Sequence, residues 1–100
     1  MVSRVSSPLM RSRLDRVVFE LGRLGILVER HSYSYRVMYR DRIVMGIHFY
    51  PGYREISIRL YKSFRELAEE ALPMVRNILC KLFPDHKIMV KWYPPGVHMS

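Results

Sequence analysis

The sequence predicts a single α+β domain in the order α-β-β-β-β-α-β, an antiparallel sheet with two helices on one face. Three observations carry this. From Tyr33 to Lys62, arginine, histidine and tyrosine alternate with apolar residues at period two, the mark of strands with one apolar and one basic-aromatic face. Stripes of helical period flank that stretch, Met10–Leu24 before it and Phe64–Leu82 after it. One hundred residues, 49% of them apolar, suffice for one core and argue against disorder. The domain is expected to occupy 1–100, with 1–6 and 95–100 as flexible tails.

Ser7-Pro8 reads as a helix start, serine at the N-cap and proline at the first helical position. Met10, Leu14, Val17, Val18, Leu21 and Leu24 follow on one stripe, and Gly25 ends it in a left-handed C′ conformation. Arg13, Arg16, Glu20 and Arg23 form a separate, solvated row. Four strands are expected at Ile26–Arg30, Tyr33–Tyr39, Ile43–Phe49 and Arg54–Leu60. Ser63-Phe64-Arg65-Glu66 reads as a capping box opening the second helix. That helix carries Phe64, Leu67, Ala68, Ala71, Leu72, Val75, Ile78, Leu79 and Leu82; Pro73 should kink or break it, and Pro84 stops it. Alternation from Lys87 to Trp92 gives a fifth strand.

Register follows from parity. A two-residue Pro51-Gly52 loop sets Ile47 against Ile56, Met45 against Ile58 and Ile43 against Leu60, with His48 opposite Glu55 and Val44 opposite Arg59 on the other face. A His31-Ser32 loop aligns Ile26 with Val37 and Val28 with Tyr35. The middle hairpin admits two registers. A three-residue loop, Arg40 to Arg42, buries Tyr33, Tyr35, Val37 and Tyr39, whereas a two-residue loop, Arg40-Asp41, exposes the tyrosines and buries Arg36. Neither Arg40 nor Asp41 favours the positive φ of a tight turn, and an unpaired buried arginine is expensive, so the three-residue register is preferred. The expected core is Leu14, Val17, Leu21, Ile26, Val28, Ile43, Met45, Ile47, Ile56, Ile58, Leu60, Leu67, Ala71, Val75 and Ile78.

Composition narrows function. The net charge is +8, and residues 1–60 carry eleven basic and five acidic groups. A basic excess interleaved with aromatics fits nucleic acid, and it equally fits a solubilising charge. No apolar run reaches the roughly 18 residues of a membrane span, and no secretory leader is legible. Cys80 is the only cysteine, which fits a reducing, cytoplasmic setting and a packing role on the second helix. The absence of glutamine and threonine points to a thermophilic source, against which stand seven methionines.

No catalytic residue, metal site or cofactor is assigned: the histidines lack ligand spacing, no serine sits in a glycine-flanked elbow, and the glycines are scattered. The element order is similar to the core of the PD-(D/E)xK nucleases, a family including junction resolvases. That resemblance would place metal-binding carboxylates at Glu20, Asp41 and Glu55. The motif stops there: position 57 is serine, no lysine follows Glu55, and four strands precede the second helix where that core has three. Membership is not assigned. The expected function is nucleic-acid binding through Arg36, Arg40, Arg42 and Arg59 on phosphates, with His48 and Tyr50 as stacking surfaces. The alternative is a homodimeric or accessory subunit using the open sheet face, with Met38, Val44, Tyr50 and Tyr93 at the interface.

Overall fold

The computed structural model describes residues 8–94; the expected tails and the Ser7 cap lie outside them. Helix α1 (Pro8–Arg23) leads into β1 (Leu27–His31), β2 (Ser34–Tyr39), β3 (Arg42–Tyr50) and β4 (Glu55–Tyr61), then α2 (Arg65–Leu82) and β5 (Lys87–Tyr93). The five strands form one sheet in sequence order. β1 to β4 are antiparallel neighbours, and β5 joins parallel to β4, so the sheet is mixed. The parallel step is a consequence of α2, whose 18 residues form a crossover long enough to return the chain to the same end of the sheet.

Local chemistry explains the elements. Gly25 takes φ 83, and the Gly25 and Ile26 amides donate to the Gly22 and Leu21 carbonyls at 3.0 Å, the paired bonds of a Schellman ending. The capping box does not form: Lys62–Phe64 is a 3-10 turn, and Phe64 stands at the N-cap without a side-chain bond. α2 passes through Pro73 as one element, because Ala71, Val75, Ile78 and Leu79 are buried on either side of it and hold the helix to the core. A single cluster of buried side chains joins α1 (Leu14, Val17, Leu21), the sheet (Tyr35, Val37, Met45, Ile47, Ile58) and α2 (Ala71, Val75, Leu79).

The middle hairpin combines both expected registers. Tyr39 pairs with Arg42 across a two-residue turn in which Arg40 (φ 53) and Asp41 (φ 65) are both left-handed. A bulge then intervenes, so that Val37 pairs with Met45, Met38 with Ile43, and Val44 is left over. The extra residue restores the parity of the longer loop, which buries Tyr35 and Tyr39 and exposes Arg36. It also exchanges two expected positions: Val44 is buried and Ile43 is 39% exposed. The left-handed turn is held by Arg40, whose guanidinium bonds Glu70 of α2 at 2.9 Å and lies over the Tyr39 ring.

The outer hairpins shift by two residues and keep their faces. Pro51–Tyr53 is a 3-10 turn closed by Arg54 at φ 53, so Ile47 faces Ile58, Phe49 faces Ile56 and Met45 faces Leu60. Val28 pairs with Val37, and Ser32 turns at φ 57. In this register Phe49 is buried against Phe83, ring centroids 4.7 Å apart.

Candidate nucleic-acid interface

Cross-strand partners share a face of a sheet, and the pairing places the basic residues in rows. The most basic row runs Arg36–Gly46–Arg59–Lys91 across β2, β3, β4 and β5, with Glu29 at its β1 end. On one side lies Ser34–His48–Ser57–Met89, then Tyr50–Glu55–Lys87. On the other lies Tyr61–Tyr93. Alternation sends these side chains away from Tyr35, Ile47 and Ile58 in the core.

Aromatic groups frame the row. The Tyr61 and Tyr93 rings meet edge to face at 6.2 Å, and the Arg59 guanidinium lies over Tyr93 at 5.9 Å. Gly46 has a steric role: a Cβ there would lie 2.9 Å from the Tyr61 hydroxyl, so its absence lets Tyr61 lie over the middle of the sheet. On the opposite flank the His48 and Tyr50 rings are 4.5 Å apart, and Ser34 Oγ is 2.7 Å from His48 Nδ1. Two depressions result. One, of about 350 Å³, is lined by Tyr50, Tyr53, Glu55, Ser57, Arg59, Met89 and Lys91; the other, of about 180 Å³, includes Gly46, His48, Arg59 and Tyr61.

Charge pairing is uneven over the molecule. Arg13, Arg16, Arg23, Arg30, Arg40 and Arg65 each have a carboxylate within ion-pair distance, and Arg36 has Glu29 at 3.2 Å. Arg59, Lys87 and Lys91 form no ion pair among the described residues. Arg42, Arg54, Lys62, Arg76 and Lys81 form none either, so what marks this face is that its unpaired cations stand on adjoining strands beside Arg36.

The six residues singled out from the sequence divide into two groups. Arg36, His48, Tyr50 and Arg59 come together on this face. Arg40 and Arg42 do not: Arg40 turns to Glu70 of α2, and Arg42 lies over Phe64 at 5.5 Å. His48 faces Ser57, and Glu55 faces Tyr50, so the expected His48–Glu55 pair is not made. Val44 is in the core and leaves the proposed interface set. Lys87 and Lys91 were missed as site residues because a parallel β5 beside β4 has no short-range signal. Cys80 is exposed, so it has no packing role.

The carboxylate constellation does not assemble. Asp41 precedes β3 and Glu55 lies opposite its last residue, Tyr50, so the nine-residue strand, roughly 25 Å or more at 3.3 Å per residue, separates them. Glu20 is held by Arg16 at 2.8 Å and Arg23 at 3.4 Å, and hydrogen bonding from Arg16 keeps its carboxyl below its ordinary value. Among the described residues, no three histidine, cysteine or acidic side chains are grouped to hold a metal. The Ser34–His48 bond lacks a third group on Nε2 among the described residues, so it is not a charge-oriented dyad. No helix among the described residues is long and apolar enough to cross a membrane. Compared with protein-family models, curated proteins and solved structures, the chain matches none.

Proposed function

We propose that the sheet face bearing Arg36, Arg59 and Lys91 binds single-stranded nucleic acid. The cross-strand cation row is the observation that carries this reading. Arg36, Arg59 and Lys91 stand on neighbouring or next-neighbouring strands, so three cations span about 14 Å at 4.8 Å per strand. Two of the three have no ion pair among the described residues to exchange for a phosphate. Aromatic rings border the row on both sides, and base–aromatic stacking contributes about 1–3 kcal/mol per base. A gently twisted sheet face exposes such rings to splayed bases, whereas a duplex hides its bases from them.

The test is fluorescence anisotropy with a short labelled single strand at low salt. Arg59→Ala and Lys91→Ala should each weaken binding, while Arg40→Ala, whose guanidinium is held by Glu70, should leave it unchanged. Equal losses from Arg40→Ala and Arg59→Ala would contradict the placement of the site.

A second reading, self-association or docking to a protein, draws on a different surface. Phe19, Leu24 and Leu27 are 59%, 47% and 62% exposed where α1 passes into the edge strand β1. A sedimentation mass that stays dimeric at high salt, and falls to the monomer with Leu27→Lys, would favour it.

A further inference from the structure

The geometry points to a guanine-reading pocket in the depression between the Tyr50–Tyr53 turn and Lys91, with Glu55 as the group that selects the base. This rests on the reading that the face binds a single strand. Glu55 is the anomalous group on that face. It is half-buried at the start of β4, shares the depression with Arg59 and Lys91, and its carboxylate makes no hydrogen bond or ion pair among the described residues. Elsewhere Asp15, Glu20, Glu29, Glu69, Glu70 and Asp85 each meet a cation, and Asp41 and Glu66, which do not, are exposed to solvent, whereas Glu55 is half-buried. A carboxylate in a basic cleft repels phosphate, so its use there is to accept N–H bonds from a base.

The four bases differ in what they offer a carboxylate. Guanine presents N1–H and the N2 amino group side by side, two donors for two oxygens. Adenine, cytosine and uracil each place an acceptor beside their donor, which an ionised carboxylate repels. Guanine O6, adjacent to N1–H, is an acceptor suited to Arg59 or Lys91, which line the same depression. The volume of about 350 Å³ is ample for one base, and Tyr50 and Tyr53 offer ring faces at its rim. Tyr53 is 78% exposed, so its ring is accessible to a base.

The test compares the full chain on uridine-rich single strands that differ only in one central nucleotide, G, A, C or U, with guanosine monophosphate as a separate arm. The G strand should bind about 10-fold more tightly than the others, the size of one good bidentate contact. Glu55→Gln should abolish that preference and, because it removes the charge that repels phosphate, should leave all-U binding no weaker than in wild type; Glu55→Asp should retain part of the preference. Circular dichroism confirms that each variant is folded. Equal binding of all four strands overturns the guanine assignment and leaves single-strand binding standing. No binding of any strand at low salt overturns both. Guanosine monophosphate binding as tightly as the G strand shows a mononucleotide site, which contradicts the proposal.

Discussion

Tyr35 is the side chain whose position decides which face of β2 is inside. It is 3% exposed, its ring is 5.5 Å from Phe49, and its hydroxyl donates to the Leu14 carbonyl of α1 at 2.6 Å. Truncation of a buried aromatic to alanine costs about 3–5 kcal/mol, and loss of the hydroxyl bond adds about 1 kcal/mol. Tyr35→Ala should thus remove a large share of the 5–15 kcal/mol typical of a domain. Tyr35→Phe keeps the ring, and Leu14 lies inside α1, where its carbonyl still accepts the helical bond from four residues on, so this change should cost only about 1 kcal/mol. Urea denaturation measures both as falls in midpoint at unchanged slope. Burial also pushes the Tyr35 hydroxyl above its ordinary value of 10.0. Because the folded value is the higher, its contribution is full below pH 10 and is lost as pH rises above it. Wild type should therefore lose stability above pH 10 more steeply than Tyr35→Phe. A Tyr35→Ala variant within 1 kcal/mol of wild type would refute the burial of this face.

The bulge makes a paired prediction: Val44→Asp should prevent folding, since it buries an unpaired charge, whereas Ile43→Asp should remain folded by circular dichroism. Arg13 stacks on Phe83 at 4.7 Å and donates to the Leu82 carbonyl at 3.1 Å, so Arg13→Ala should lower stability by about 1–3 kcal/mol, measured by urea unfolding. Asp85, held below its ordinary value chiefly by hydrogen bonding from His86, contributes stability that is lost as pH falls through its folded value. An Asp85→Asn variant should flatten the acid limb of a pH–stability curve.

The parts of the fold that were legible in the sequence rest on periodicity. Tyr35, Ile47, Ile56 and Ile58 belong to one face whichever hairpin loop is chosen, provided the slip is even, and the observed shifts of two residues left them there. Positive φ at Ser32, Arg40 and Arg54 was not legible, because serine and arginine rarely adopt it, and Asp41, a residue type that tolerates it, gave no turn signal because Arg40 beside it does not. Packing imposes it, as the Arg40–Glu70 contact illustrates. The bulge at Val44 was hidden for a related reason: valine and isoleucine in adjacent positions suit either face. Phe83, fully buried behind the end of α2, lay outside any periodic run. For the site, Arg36, His48, Tyr50 and Arg59 were visible as the polar half of an alternation. Their relation to Lys91 and Tyr93 depends on β5 returning parallel to β4, a long-range pairing that sequence spacing does not encode.

Whether the Arg36–Arg59–Lys91 row meets a phosphate backbone is tested most directly by the salt dependence of single-strand affinity. Three phosphate contacts at about 0.7 each give a slope near −2 in log K against log salt. Wild type should show that slope, and replacing Arg36, Arg59 and Lys91 together by alanine should leave weak, nearly salt-independent binding. A wild-type protein that binds no single strand at low salt, or a triple variant with an unchanged slope, would contradict it.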